Sequence, residues 1–161
     1  MFFNGVCNVV QRLLSVVKPT HAFFGDKDLQ QRIIIEQMVK DLNLNISIIN
    51  GKIIRDKNGL ALSSRNLNLS KEDYQQALIL PKTLNWIKQQ VNEKPRQASV
   101  LKKQAEQMME NNTISIEYIA FMDLNKYKLT NKTITKQHHC FIAICCKKIR
   151  LIDNKSMKNN R

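Results

Sequence analysis

The sequence predicts an α/β fold in which a small parallel sheet is followed by an α+β region. Residues 21–50 show the pattern strand, turn, helix and strand, and about 30 residues is the usual size of a crossover that joins two parallel strands. Beyond residue 68 the pattern changes to helices followed by strands of antiparallel character, which is typical of α+β domains. We therefore expect two small domains, residues 1–68 and 69–161.

Each element of the first domain has a local signal. Near the N-terminus, apolar residues recur at helical spacing up to Lys18-Pro19, where the helix should end. The apolar run HAFF, residues 21–24, predicts a strand that stops at Gly25. A helix should start at Asp28, and the β-rich segment NISIIN, residues 45–50, predicts the second strand.

The second domain is expected to follow a polar loop. Ile53–Ile54 predicts a short strand, and the turn residues after it predict the loop. Ser70, with Asp73 three places later, resembles a capping box that opens a helix. Pro81 lies inside the helical pattern that follows, so it should kink this helix or divide it in two.

Further along, the chain should form one more helix and a set of strands. The helix covers about residues 97–111. Strand patterns follow in ISIEYIAFMD (residues 114–123), HCFIAICC and IRLID. The polar tail KSMKNNR is expected to be frayed.

The net charge of +13 invites comparison with nucleic-acid-binding proteins. Lysine supplies 19 of the 26 basic residues, and asparagine and isoleucine are also abundant, which indicates a compositional bias. The charge is spread along the chain, without a basic stripe interleaved with aromatic residues of the kind that binds single strands. Nucleic-acid binding is therefore the weaker interpretation.

The four cysteines form no C-x-x-C pair, so the sequence lacks the zinc-ribbon and thioredoxin signatures. Three of them lie in the run HHCFIAICC, which permits a metal site as one interpretation. In a strand, however, neighbouring side chains point to opposite faces, so buried cysteines in a core strand are the favoured interpretation. Free thiols, together with the lack of a secretory leader and of an apolar stretch of about 18 residues, lead us to expect a cytoplasmic protein.

The segment FFGDKDLQQ, residues 23–31, places charged residues where the first strand ends. In open parallel sheets, ligands bind beyond the carboxyl ends of the strands, and the amides at a helix start attract phosphate. Gly25 allows a close approach to the backbone, Lys27 supplies a positive charge, and Asp28 caps the helix or accepts a ribose hydroxyl. Gln31, one turn further on, suits a small polar substrate. Taken alone, this segment is better explained as a solvated turn.

A second loop, LALSSRN at residues 60–66, strengthens the nucleotide interpretation, although alone it also fits an ordinary polar loop. Arg65 offers a planar fork for phosphate oxygens, and Ser63 and Ser64 donate hydrogen bonds without adding charge. Because both loops follow strands of one small α/β unit, we expect Lys27 and Arg65 to face the same triphosphate. The sequence contains neither G-x-x-x-x-G-K-[ST] nor G-x-G-x-x-G. The pattern instead points to nucleotidyl transfer, in which an enzyme positions ATP and stabilises charge on its phosphates.

Three segments together resemble the pantothenate synthetase (pantoate–β-alanine ligase) family: FFGDKDLQQ, IIRDKNGLALSSRN and RLIDN. Members of this family typically carry F-G-[ED]-K-D-x-Q-Q, then R-x-x-[DN]-G-L-A-L-S-S-R-N, and close on R-L-I-D-N, in this order and at a similar spacing. The resemblance extends from residue 3 to residue 154. It implies a partial Rossmann-like parallel sheet, of the class I synthetase-like nucleotidyl transferase type, followed by a small α+β C-terminal domain.

The resemblance also implies an activity and its site. Members of the family are ATP-dependent, Mg²⁺-requiring ligases that join pantoate to β-alanine through a pantoyl-adenylate intermediate. Carried over by motif, the implied ATP site consists of Gly25, Asp26, Lys27, Asp28, Ile54, Leu62, Ser63, Ser64 and Arg65. Gln31 is implied to hold pantoate. The implied catalytic residues are Lys27, Ser63, Ser64 and Arg65, and the last four residues of the ATP site, Leu62–Arg65, are called the phosphate loop below.

One family motif has no counterpart here. The family carries H-x-G-H near its N-terminus, whereas the histidines of this sequence are His21, His138 and His139. The segment MFFNGV resembles an internal segment of the family, so we expect a C-terminal portion that is catalytically incomplete alone. A homodimer or a complementing N-terminal half is the expected partner. The alternative function is a non-catalytic dimerisation or complementation module.

Overall fold

The computed structural model describes residues 2–111 and 113–158 of the chain. The chain divides into two compact units, Met1–Ile53 and Ile54–Arg161. The first contains a parallel pair of strands and the second an antiparallel sheet, as the predicted α/β region followed by an α+β region requires. No helix among the described residues is long and apolar enough to cross a membrane.

The first unit contains two helices and two parallel strands. Its elements are α1 (Phe2–Val17), β1 (His21–Gly25), a 3-10 turn (Asp26–Asp28), α2 (Leu29–Asp41) and β2 (Ser47–Gly51). β1 and β2 run parallel in a register that pairs His21 with Ser47 and Gly25 with Gly51. The predicted strand–helix–strand unit is therefore confirmed.

The core of the first unit lies between its helices and one face of the strand pair. Leu14, Ile35 and Val39 are buried there, and they are joined by partly buried side chains from both helices and both strands: Val6, Val10, Ala22, Phe24, Met38 and Ile48. Alternation along β1 turns Phe23 away from this core, and its side chain is 76% exposed. One face of the strand pair is thus packed, and the other carries an exposed aromatic ring.

The second unit contains three helices and six strands among its described residues. Its elements are a 3-10 turn (Ser64–Asn68), α3 (Lys71–Ala77), α4 (Ile79–Glu93), β3 (Arg96–Gln97), α5 (Ala98–Met109), β4 (Ile114–Asp123), β5 (Lys128–Thr130), β6 (Thr133–Ile134), β7 (His138–Cys146) and β8 (Ile149–Ser156). The main sheet is antiparallel, with the strand order β5-β4-β7-β8, and β3 pairs with β6. The predicted helix after residue 96 and the three longer strands are confirmed.

The break between α3 and α4 follows from the sequence. Ser70 Oγ accepts a hydrogen bond from the amide of Asp73 at 3.1 Å and donates one to its carboxylate at 2.8 Å, which confirms the predicted cap. The helical pattern then divides at Leu78. Pro81 lies in the first turn of α4, where it has no amide to donate to the carbonyl of Ala77. The predicted division of this helix is therefore confirmed.

The core of the second unit contains α4, α5 and the central strands of the sheet. Its largest fully buried side chains include Leu80, Leu84, Ile87, Leu101, Met109, Phe121, Ile142 and Ile144. β7 is buried along most of its length. Cys140 and Cys146 are buried there and Cys145 is half-buried, which agrees with the core-strand interpretation of HHCFIAICC.

Two predictions about local structure are wrong. Ile53–Ile54 is not a strand, because Ile54 opens a short hairpin instead and its carbonyl accepts a hydrogen bond from Leu62. The tail predicted to be frayed is ordered through Met157, whose side chain is fully buried. Its amide donates to the carbonyl of His138 at 3.0 Å, which extends the strand pairing. Residues 159–161 of that tail lie outside the described residues.

The compact units divide after Ile53, whereas the sequence placed the domain boundary after residue 68. Residues that follow Ile53 join the second unit because Leu60 is buried in its core cluster. An ion pair between Arg55 and Asp153 links the same segment to β8. The assignment of residues 1–68 and 69–161 to two domains stays a prediction.

Candidate functional site

The first candidate loop follows β1. Because Gly25 of β1 pairs with Gly51 of β2, the two parallel strands end at the same edge. Asp26–Asp28 then form the 3-10 turn from which α2 starts. The turn therefore lies at the carboxyl edge of the strands, where open α/β sheets bind ligands.

Neighbouring side chains hold the Asp26 carboxylate in place. Oδ1 accepts a hydrogen bond from Arg32 Nε at 2.7 Å, and Oδ2 accepts one from Asn50 Nδ2 at 3.2 Å. Arg32 also pairs with Glu36 on α2. Burial alone would lower the pKa of Arg32, but its hydrogen bonds to Asp26 and Glu36 outweigh burial and raise it. Asp26 thus ties the turn to both α2 and β2.

The remaining predicted residues of this loop lie in the turn and the helix start. Asp28 occupies the N-cap position of α2 without a side-chain capping hydrogen bond, so the capping alternative is wrong and the ribose alternative stays a prediction. Lys27 is half-buried in the turn, and Gln31 is half-buried in the first turn of α2. The structure therefore collects the five predicted residues of this loop at one strand end.

The second candidate loop starts as a short hairpin in the other unit. Arg55 and Ala61 form an antiparallel bridge, and the amide of Leu62 donates to the carbonyl of Ile54 at 2.9 Å. The tip of the hairpin requires Gly59, whose φ of +91° lies in a region that disfavours side chains. Ile54 and Leu62 lie at the open end, and both side chains are largely exposed.

An aspartate organises the tip of this hairpin. Asp56 Oδ1 accepts hydrogen bonds from the amides of Asn58 at 2.9 Å and Leu60 at 3.0 Å. Its Oδ2 accepts one from the Tyr74 hydroxyl on α3 at 2.6 Å. Burial acts to raise the pKa of Asp56, but the hydrogen bonds from Tyr74 and the backbone outweigh burial and lower it. The same bond raises the pKa of Tyr74.

A bidentate ion pair fastens the hairpin to β8. Arg55 donates from Nη1 to Asp153 Oδ2 at 2.6 Å and from Nη2 to Asp153 Oδ1 at 2.9 Å. The same guanidinium donates to the carbonyl of Gly59 at 2.9 Å and to that of Asn154 at 3.4 Å. Sequence reasoning gave neither member of this pair a role. An acid inside the apolar strand IRLID was the available signal, because a buried carboxylate needs a partner.

The backbone of the phosphate loop is fixed by its own side chains. Ser63 Oγ accepts a hydrogen bond from the amide of Arg65 at 3.2 Å. The side chain of Asn66 reaches back to the carbonyl of Ala61 at 3.0 Å. The loop therefore keeps a defined turn directly after the hairpin.

The phosphate loop offers polar groups to solvent. Ser64 and Arg65 are exposed, and Ser63 is half-buried. The Arg65 guanidinium lies 3.5 Å from the carbonyl oxygen of Arg150, at the outer limit of a hydrogen bond. A charged, planar donor held this weakly is available to an anion.

Lys27 and Arg65 belong to different units, so their predicted meeting at one triphosphate stays a prediction. Within residues 2–111 and 113–158, no group of three or more His, Cys, Asp or Glu side chains is placed to hold a metal ion.

Residues 1–156 match the Pantoate-beta-alanine ligase family. The chain belongs to this family. Among curated members, it is 39% identical over 153 residues to the pantothenate synthetase of Caldicellulosiruptor bescii, a match that includes 94% of this chain. It is 41% identical over 156 residues, 95% of this chain, to that of Ruthia magnifica. The chain spans about half the length of these relatives, 54% in both cases.

Solved members of the family share the fold. Pantothenate synthetase from Thermus thermophilus matches with a TM-score of 0.85 at 27% identity, over 96% of this chain and 56% of that protein. Pantoate-beta-alanine ligase from Francisella tularensis, solved in complex with beta-gamma ATP and beta-alanine, matches with a TM-score of 0.67 at 29% identity, over 98% and 51% respectively. The predicted family and fold class, a partial Rossmann-like sheet followed by a small α+β domain, are confirmed.

Proposed function

We propose that this chain carries nucleotide- and pantoate-binding loops of a ligase that condenses pantoate with β-alanine. The pantoate carboxylate attacks the α-phosphate of ATP, which releases pyrophosphate and forms pantoyl adenylate. The amine of β-alanine then displaces AMP and gives pantothenate. Family membership over residues 1–156 carries this proposal, and the Francisella ligase, solved with a nucleotide and beta-alanine, supports the same substrates.

In the proposed reaction, the turn after β1 binds ATP and pantoate. Lys27 neutralises phosphate charge, and Gly25 lets the nucleotide approach the backbone. Asp28, whose side chain makes no capping bond, accepts a ribose hydroxyl. Asp26 contributes by shaping the turn, since its carboxylate is already bound by two side chains. Gln31 holds pantoate through its amide.

The phosphate loop acts on the charge that develops during adenylate formation. Negative charge accumulates on the phosphates and on the leaving pyrophosphate, and preorganised donors lower its energy. Arg65 supplies a planar fork, and Ser63 and Ser64 supply hydroxyls. Together with Lys27 they are the proposed catalytic residues. Leu62 and Ile54 provide exposed apolar surface on the adenine side.

Mg²⁺ is the metal ion proposed for this reaction. Mg²⁺ commonly binds to substrate phosphates with one or two carboxylates and several waters, not to a cage made only of protein groups. The described ranges contain no cage of three acidic, His or Cys side chains, so the proposed ion is bound mainly by the substrate phosphates and water. The ion would neutralise phosphate charge during adenylate formation.

Substitution of the two cations tests the proposed site. The ATP affinity of Lys27→Ala and of Arg65→Ala, measured by calorimetry, should each fall by about tenfold to a hundredfold, since a hydrogen bond to a charged group contributes about 1.5–3 kcal/mol. Lys40→Ala, which removes an exposed cation from the far end of α2, is the matched control and should leave the affinity unchanged. Absence of ATP binding would refute the proposal that these loops bind the nucleotide, and binding indifferent to both substitutions would place the nucleotide elsewhere.

We also propose that turnover requires a segment carrying H-x-G-H in addition to these residues. None of the three histidines of this sequence lies in such a motif. The isolated chain should therefore form negligible pantothenate from ATP, pantoate and β-alanine, and the N-terminal half of a relative should restore synthesis. Ordinary turnover by the purified chain alone would refute this requirement.

An exposed apolar stripe on α1 favours association as an additional function. Val9, Leu13, Val16 and Val17 recur at helical spacing, and each side chain is more than half exposed. Phe23 adds an exposed ring to the same unit, and surface of this kind commonly marks an interface. We propose that the N-terminal half of a ligase covers it, because the relatives are nearly twice as long as this chain.

Sedimentation separates the possible forms of this association. A complex with the N-terminal half of a relative that is lost in Leu13→Glu supports complementation, whereas a self-associated chain that Leu13→Glu dissociates indicates a homodimer. A stable monomer that binds no such half would contradict both.

A cytoplasmic location is proposed from the four free thiols.

A further inference from the structure

We infer that Arg55 and Asp153 are positioning residues for the phosphate loop: their ion pair sets the direction in which the loop leaves the hairpin. The effect of this ion pair on catalysis rests on the proposed function. The ion pair and the phosphate loop that it positions both belong to the second unit.

The hairpin and the phosphate loop are directly connected. The bridge between Arg55 and Ala61 is followed by the hydrogen bond from the Leu62 amide to the Ile54 carbonyl. Leu62 is therefore both the last residue of the hairpin and the first of the phosphate loop. Any tilt of the hairpin moves the donors of Ser63 and Arg65.

The Arg55 guanidinium fixes this hairpin to the sheet. It reaches both oxygens of Asp153 and the carbonyl of Asn154 on β8, and it also reaches the carbonyl of Gly59 in the hairpin turn. One planar group thus joins one side of the hairpin, its turn and the edge strand. The Asp153 side chain is fully buried, and breaking a buried pair leaves an uncompensated charge.

The other polar attachments of the hairpin do not replace this pair, and Leu60 adds only apolar burial in the core cluster. Tyr74 holds the tip through Asp56, and Asn66 holds the start of the following turn through Ala61. Both connect the hairpin to elements before β4, whereas Arg55 connects it to β8. Arg65 also reaches β8, but only through the 3.5 Å contact with Arg150. The tight attachment leaves Arg65 free to exchange a weak carbonyl contact for a phosphate.

The matched pair Arg55→Lys and Arg96→Lys tests the inference. The side chains of Arg55 and Arg96 are 26% and 27% exposed, and both form polar contacts in the second unit. Lysine keeps the charge and loses the bidentate fork. Amide hydrogen exchange at residues 62–66, measured by mass spectrometry, should accelerate about tenfold or more in Arg55→Lys. Arg96→Lys should leave exchange in this segment within about twofold of the parent chain.

Chemical rescue and nucleotide binding separate a positioning role from a general loss of stability. In Arg55→Ala, guanidinium chloride far below unfolding concentrations should slow exchange at residues 62–66, whereas equal sodium chloride should not. ATP affinity should fall about tenfold in Arg55→Lys and stay unchanged in Arg96→Lys. Exchange at residues 62–66 that is unaffected in Arg55→Lys, or that rises only in step with the whole unit, overturns the inference. Failure of the proposed function appears separately, as ATP binding indifferent to Arg65→Ala.

Discussion

Met157→Ala tests whether the end of the described chain belongs to the core. Met157 follows β8, its side chain is fully buried in the core cluster of the second unit, and its amide donates to His138. The polar sequence KSMKNNR instead predicts a frayed tail. The structure and the sequence pattern therefore imply very different costs for this substitution.

The cost expected from the structure is large. Truncating a fully buried methionine to alanine lowers the free energy of unfolding by about 2–5 kcal/mol, because transfer free energy is lost and a cavity is left behind. For a unit of roughly 100 residues, the entropy of unfolding is about 0.2 kcal/mol per kelvin. The thermal midpoint of the second unit should therefore fall by about 10–25 °C. In a frayed tail the same substitution would change stability by less than about 0.5 kcal/mol.

Scanning calorimetry and circular dichroism measure this difference. Met108→Ala on α5 is the control, since it removes the same atoms from a side chain that is 38% exposed and outside the core cluster. Its cost should be at most about 1 kcal/mol. If Met157→Ala costs no more than Met108→Ala, the tail is not anchored as described.

Two further substitutions probe the turns that shape the second unit. Gly59→Ala should destabilise the second unit by about 1 kcal/mol or more, because the backbone φ of +91° at Gly59 disfavours a side chain. An added Cβ would lie 3.8 Å from Pro81, so the cost comes from the backbone and not from a clash. Urea unfolding equal to that of the parent chain would show that the turn is not strained. Hydrogen bonds from Lys147 and Ser70 lower the pKa of Asp73, so its contribution to stability is present above its unfolded pKa and is lost as pH falls through the lower folded value. Asp73→Asn should therefore weaken the protein near neutral pH and flatten the acid limb of its stability profile; an acid limb as steep as that of the parent chain would exclude this role.

Local signals account for most elements of the fold. Short apolar or β-rich runs predicted β1 and β2, alternation predicted β4, helical spacing predicted α1 and α2, and Pro81 predicted the division between α3 and α4; the short strands β3, β5 and β6 were not predicted. These features depend on neighbours within one or two turns, which the sequence shows directly. The errors occurred where distant packing decides the outcome. Met157 lies in a polar stretch of sequence but is buried in the core of the second unit, and Ile54 opens a hairpin whose Leu60 enters the same core.

The candidate site shows the same division. The composition of both loops was visible in short motifs, and these motifs also carried the resemblance to the family. The bond that anchors the second loop joins Arg55 to Asp153, 98 positions apart. No local propensity encodes that pairing, since it depends on β8 reaching the sheet edge beside β7. The absence of a capping bond from Asp28 is likewise a matter of backbone geometry, because a 3-10 turn precedes α2.

The separation of Arg55 and Asp153 along the sequence, 98 positions, also fixes the order in which the two residues are synthesised. The ribosome releases the hairpin long before it translates the strand that anchors it. Until β8 emerges and pairs with β7, the Arg55 guanidinium lacks the Asp153 carboxylate that binds it in the folded unit. A premature stop codon between the two positions would thus leave the Ser-Ser-Arg motif fully translated while removing the carboxylate that holds it in place.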